Sequence, residues 1–199
     1  MQTNFNESQT RINLMRAFAG ECQARQRYYM SALKAHQQKL PVLERMFKFT
    51  AGQEEQHAVV FFNLLKESAG QSIDINAGYP ADVFNEIQQL LDAAAKDEEH
   101  ESGNIYPEFA HTAHQEGFTD IAQKFEMIGR IENSHRERFA YYGQLVRDGM
   151  LFRSESTEEV WICLNCGHIH IGSEPPKNCP VCNVAQGYFI REKEAPFTK

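Results

Sequence analysis

From about Glu7 to Gly149, apolar residues recur at steps of three and four, the spacing that puts side chains on one face of an α-helix. The pattern predicts four long helices and no strand in this part of the chain. The first runs to about His36. Pro41 suits a first helical turn and opens a second helix, which continues to about Ala69 before Gly70 stops it. Residues 71–80, QSIDINAGYP, carry no helical pattern and are too many for a tight turn between antiparallel helices. A third helix is expected from near Asp82 to about Gly117, kinked at Pro107. A fourth follows from Thr119, a suitable N-cap, to Gly149.

Two helical hairpins joined by one long crossover make the ferritin-like form of the four-helix bundle. Composition then changes at FRSESTEE, residues 152–159, which is short, polar and charged. Beyond it, WICLNCGHIHIGSEPPKNCPVCN is rich in Cys, Gly and Pro and too small to sustain a hydrophobic core unaided. The expected class is therefore mainly α: a bundle over 1–151, a linker over 152–159, and a small metal-bound β/loop domain over 160–199.

Each predicted helix carries acids inside its apolar stripe. On the second, Phe47, Ala51, Glu54, His57, Phe61 and Leu65 share a face, with Glu54 and His57 one turn apart. The fourth repeats the arrangement with Phe125, Ile128, Glu132, His135, Phe139 and Tyr142. The first offers Leu14, Ala17, Glu21, Ala24 and Tyr28; the third offers Leu91, Ala94, Glu98, Glu101, Ile105 and Phe109. A single E-x-x-H is common on solvated helix faces. Two of them on apolar stripes, in step with three further acids, are another matter, because facing buried carboxylates repel strongly unless cations sit between them. Glutamates from two helices with Glu-x-x-His from the other two form the di-iron or di-manganese carboxylate pattern of bundle cores, here with Glu101 as an extra acid. Oxygen and imidazole ligands of this kind suit iron or manganese, and zinc is possible.

In the tail, Cys163-x2-Cys166 and Cys179-x2-Cys182 are separated by twelve residues, the spacing of a tetrathiolate site that accepts zinc or iron equally. The remaining cysteine, Cys22, lies one residue off the ligand phase and reads as a buried or half-exposed free thiol.

Bulk properties narrow the function classes. With 199 residues, 42% hydrophobic and 24% charged, the chain is globular, and its net charge of -7 without a basic stripe argues against a nucleic-acid partner. The polar N-terminus lacks a secretory pattern, and no apolar run approaches the roughly 20 residues that span a bilayer. A cytoplasmic location without membrane contact is the expectation, and paired cysteines there point to metal before disulfides.

Taken together, these residues resemble the rubrerythrins: a ferritin-like di-iron bundle followed by a rubredoxin-like domain with one iron on four cysteines. The resemblance covers nearly the whole chain. It implies that Glu21, Glu54, Glu98, Glu132 and His135 are iron ligands, Glu54 and Glu132 bridging, while Glu101 and His57 alternate on one iron between oxidation states. It implies that Tyr28 and Tyr106 hydrogen-bond the ligand carboxylates. It also implies reduction of hydrogen peroxide, with Glu101 handling protons. Electrons would come from an external donor, such as a rubredoxin or an NAD(P)H-dependent reductase. A head-to-tail homodimer would bring each tail to the neighbour's di-iron site. One departure is Asn183, where similar domains place glycine after the last cysteine; Asn tolerates the left-handed backbone that this position needs.

His36, His100, His111, His114, His168 and His170 have no partnered spacing and read as structural or solvated, as do Asp97 and Glu99. Three rivals share parts of the pattern. An iron-oxidising storage protein shares the bundle but has no use for a thiolate tail; an oxygen-reducing oxidase shares the whole site; a zinc-ribbon interaction module shares the tail.

Overall fold

The computed structural model describes residues 3–196, and it has the expected class. Helix α1 spans Gln9–Gln37 and α2 spans Pro41–Leu64, antiparallel across a turn in which Lys39 takes a positive φ of 59°. The Ser8 hydroxyl caps α1 by accepting from the Arg11 amide. Helices α3 (Ile87–His100), α4 (Tyr106–Gln115) and α5 (Thr119–Arg147) build the second hairpin.

Four features differ from the sequence expectation. The second helix ends at Leu64 rather than about Ala69 and is followed by a 3-10 turn over Lys66–Ser68. The third helix starts at Ile87 rather than near Asp82: the Asp82 carboxylate is turned onto Arg27, 2.6 Å away, and the chain from Ala81 to Phe84 makes tight turns, with the Val83 and Phe84 amides donating to the Ala81 and Asp82 carbonyls, before the helix begins. Thr119 is the first helical residue of α5 rather than its cap; Phe118 occupies the cap position with its ring buried. The interruption in the third helix is a π-helical stretch, Glu101–Ile105, between α3 and α4. Pro107, lacking an N–H, falls in the first turn of the restarted helix, so the irregularity precedes it.

The bundle interior is two apolar clusters with a polar layer between them. One cluster holds Leu43, Phe47, Leu91 and Phe139; the other holds Leu14, Phe61, Phe109 and Phe125. Between them, Glu21, Glu54, His57, Glu98, Glu132 and His135 are all buried. Aromatic rings floor the layer on both sides, with Tyr28 against Phe139 at 4.9 Å and Phe61 against Phe125 at 5.2 Å.

The tail forms a three-stranded antiparallel sheet, ordered β2 (Ile169–Ile171), β1 (Val160–Cys163), β3 (Phe189–Arg191). Its own core is little more than Trp161, Cys163, Cys179 and Phe189, so it leans on the bundle. Ile190 joins the first bundle cluster, Arg45 donates to the Leu164 carbonyl at 2.5 Å, and the Tyr141 hydroxyl donates to Glu194. At Gly187 a Cβ would stand 2.4 Å from the Lys39 carbonyl oxygen, so only glycine lets the tail approach the α1–α2 turn this closely.

Candidate metal centres

In the polar layer, ligand atoms of Glu21, Glu54, His57 and Glu132 lie within 4.8 Å of one another, and those of Glu54, Glu98, Glu132 and His135 form a second such group. Glu54 and Glu132 belong to both groups, and each divides its oxygens between them. His57 Nδ1 lies 2.9 Å from Glu132 Oε1 and 3.2 Å from Glu54 Oε2. His135 Nδ1 lies 2.8 Å from Glu132 Oε2 and 2.9 Å from Glu54 Oε1. Two cations, one in each group, would thus share two carboxylates and have one imidazole apiece.

The fit can be tested on the atoms left unsatisfied. Buried polar atoms nearly always find a hydrogen-bond partner. Here Glu21 Oε2, Glu54 Oε1, Glu98 Oε2, both Glu132 oxygens and His135 Nδ1 have none, though all are buried. The imidazole–carboxylate distances suit ion pairs, but the shared lack of hydrogen-bond geometry suits atoms aimed at a common centre instead. Two cations satisfy all six atoms.

The terminal carboxylates are held from behind. The Tyr28 hydroxyl donates to Glu98 Oε1 at 2.5 Å, and the Tyr106 hydroxyl donates to Glu21 Oε1, so each glutamate keeps only Oε2 free to face inward. Sequence reasoning missed a further support. His135 Nε2 donates to Gln53 Oε1 at 3.1 Å, which also accepts from Arg138 Nη1 at 3.0 Å. That bond fixes the tautomer that leaves Nδ1 free as a ligand. Gln53 stands next to Glu54 but off the apolar stripe, so periodicity does not pick it out.

Electrostatics follow from crowding. Burial and repulsion from Glu132 push the carboxyls of Glu21 and Glu101 well above the usual range; burial and Glu54 do the same to Glu98. Burial also opposes the charge on Glu54, but the His135 and His57 rings outweigh it and hold the group at about 2. Burial favours a neutral His57, yet Glu132, Glu21 and Glu54 push it up to about 12.

Glu101 stands outside both ligand groups. It opens the π-helical stretch and lines a cavity of about 330 Å³ beside the site. Asp97, expected to be solvated, is instead bonded to Arg27 at 2.5 Å; burial, with Asp82 alongside, lifts its carboxyl to about 6 against the pull of that guanidinium. Cys22 is a free thiol and is exposed rather than buried.

In the tail, Sγ of Cys163 is 3.8 Å from that of Cys182, and Cys166 is 3.6 Å from Cys179. A tetrahedron with metal–sulfur bonds of about 2.3 Å has sulfur–sulfur edges of about 3.8 Å, so the four thiols are spaced for a metal rather than for disulfides. Two matching knuckles make this possible. The Gly167 amide donates to the Cys163 carbonyl at 2.8 Å, and the Asn183 amide to the Cys179 carbonyl at 2.9 Å. Gly167 has φ 78° and Asn183 φ 61°, so asparagine fills the left-handed position as the sequence suggested.

A sequence model of the family described as Rubrerythrin matches residues 13–142. The chain belongs to the rubrerythrin family. A second model, described as the rubredoxin-like domain of rubrerythrin, matches residues 161–190. Rubrerythrin of Clostridium perfringens is 38% identical over 94% of this chain and 96% of that protein. Rubrerythrin of Porphyromonas gingivalis is 39% identical over 95% and 92%. Among solved structures, the fully reduced, all-ferrous state of nigerythrin is 26% identical, with a TM-score of 0.62, covering 95% of this chain and 92% of that one. The two ligand clusters are thus a rubrerythrin di-iron carboxylate site and a rubredoxin-like four-cysteine site, and the chain is a non-haem di-iron oxidoreductase of that family.

Proposed function

We propose that this protein is a peroxidase that reduces hydrogen peroxide to water in oxidative-stress defence, fed one electron at a time through its four-cysteine iron. The reading is carried by one juxtaposition: a two-cation site and a thiolate iron site in the same chain, the second with no use in iron storage. When bound in ferrous form, the iron pair supplies two electrons, the number needed to cleave an O–O bond.

The chain's own residues supply the rest. Glu54 and Glu132, which belong to both ligand groups, would be shared between the two ions. Glu21, Glu98 and His135 are the remaining fixed ligands, oriented by Tyr106, Tyr28 and Gln53. His57 stands within one ligand group and Glu101 outside both, so His57 would hold one iron while Glu101 would stand beside it at the cavity wall. Glu101, beside the cavity and with its carboxyl held above the usual range by desolvation and by Glu132, is placed to deliver a proton to the departing oxygen.

Arg45, where the tail docks, precedes Glu54 by nine residues of α2, about 14 Å of helix. We infer a head-to-tail homodimer in which the partner's tail closes that gap. An external donor, a rubredoxin or an NAD(P)H-dependent reductase, recharges the tail. Among the described residues, no helix is long and apolar enough to cross a membrane, in keeping with work in the cytoplasm.

Stopped-flow mixing of the fully reduced protein with peroxide or dioxygen tests this reading. Peroxide is expected to reoxidise the bundle at least tenfold faster; the reverse order makes the protein an oxidase. Glu101→Ala is expected to slow peroxide turnover on the order of a hundredfold while the tail's iron spectrum stays unchanged. An unaffected rate removes Glu101 from the mechanism.

A further inference from the structure

The cavity beside Glu101 is larger and more apolar than hydrogen peroxide requires. Its volume is about 330 Å³, whereas a water-sized molecule occupies about 30 Å³ and an apolar cavity of about 150 Å³ already admits benzene. Ala17, Pro80, Ile105, Phe109 and the rings of Tyr79 and Tyr106 give it a mostly apolar lining, with Arg16, Gln23, His100 and Glu108 among its polar residues. It reaches the metal site through two residues: Glu101, whose strongest electrostatic neighbours are the ligands Glu132 and Glu54, and Tyr106, which donates to Glu21.

The outer wall comes from the crossover strap. The Tyr79 hydroxyl donates to the Arg16 carbonyl at 2.9 Å, laying its ring across α1, and the Asp82–Arg27 pair anchors the strap a few residues further on. Tyr79 remains 41% exposed, so the ring is both a wall of the cavity and part of the outer surface. Hydrogen peroxide gains nothing from carbon walls. A molecule with a hydroperoxide head and a hydrocarbon body gains burial along its length, with the head toward Glu101.

Resting on the peroxidase reading, we propose that this cavity is a binding site for small organic hydroperoxides and that Tyr79 sets the size of what enters. The reaction breaks the O–O bond and takes two electrons, one from each iron as it passes from ferrous to ferric, and two protons. The products are the corresponding alcohol and water, and the irons are re-reduced through the tail as for hydrogen peroxide.

The test compares cumene hydroperoxide with hydrogen peroxide on the reduced, iron-loaded protein by stopped flow. In parallel, calorimetry measures binding of the unreactive alcohol 2-phenyl-2-propanol to the oxidised protein. Cumene hydroperoxide is expected to react within tenfold of the hydrogen peroxide rate, and the alcohol to bind at one site per chain. A leucine at Gly20 grows toward the cavity, since a Cβ there meets the Tyr79 ring only at an ordinary 3.7 Å. Gly20→Leu should therefore lower alcohol affinity and the cumene hydroperoxide rate at least tenfold, with the hydrogen peroxide rate within twofold of the parent. Tyr79→Ala, which opens the mouth without adding bulk, should raise the cumene hydroperoxide rate severalfold and serves if Gly20→Leu fails to load iron. No alcohol binding, or a cumene hydroperoxide rate that neither variant changes, overturns the proposal while leaving hydrogen peroxide reduction standing. Failure with hydrogen peroxide itself overturns the underlying reading instead.

Discussion

Glu132→Ala is expected to empty the bundle of both metal ions while the tail keeps its own. Glu132 is fully buried and gives one oxygen to each ligand group, so its loss removes a ligand from both ions at once. Glu54 would be left as the one carboxylate common to both groups, and His57 and His135 lose their nearest carboxylate oxygens, at 2.9 and 2.8 Å. Removing even an outer hydrogen-bond partner of a ligand costs about 10–100-fold in metal affinity or activity; loss of a shared ligand should lower peroxide reduction on the order of a thousandfold or more. Metal analysis of the purified variant should find one iron per chain rather than three, with helical content retained. Three irons and a normal rate would mean that Glu132 does not bridge.

The second large effect separates chemistry from electron supply. Cys179→Ser removes a buried ligand from a domain whose own core is little more than Trp161, Cys163, Cys179 and Phe189. In small metal domains, binding free energy is folding free energy, so the tail from Val160 onward should lose its fold along with its metal. The bundle should stay helical and load two irons. When those irons are reduced chemically, a single turnover with peroxide should proceed at the parent rate. Steady-state turnover with a protein or NAD(P)H-linked donor should fall at least a hundredfold. Unchanged steady-state turnover would mean that the donor charges the bundle directly, leaving the tail without its proposed task.

Much of this architecture could be read from residue spacing because burial imposes period on a helix. Glu21, Glu54, His57, Glu98, Glu132 and His135 each fall on an apolar stripe, and the structure gathers all six into one layer. Glu101 follows Glu98 in ordinary α-helical geometry, its amide bonded back to Asp97, yet it joins neither ligand group and lines the cavity instead; the widened turn comes after it, where the Tyr106 amide reaches back to the Glu101 carbonyl. Spacing arguments assume a constant 3.6 residues per turn and are blind to such a change. Asp82 and Asp97 depart from the local expectation because of tertiary contact. Both are bonded to Arg27, a partner distant from each in sequence, so a helix start and a solvated face predicted locally were overruled by tertiary contact. Asn183 shows the opposite case, where a backbone requirement confined to one residue was legible from the residue type alone.

The most direct test is anomalous diffraction at the iron absorption edge from crystals of the iron-loaded protein. Three peaks per chain are expected: one at the centre of the four cysteine sulfurs, and two in the bundle, about 3.5–4 Å apart, with Glu54 and Glu132 spanning them. Bundle peaks that are missing, single, or confined to surface carboxylates would contradict the two-cation site on which the proposed chemistry depends.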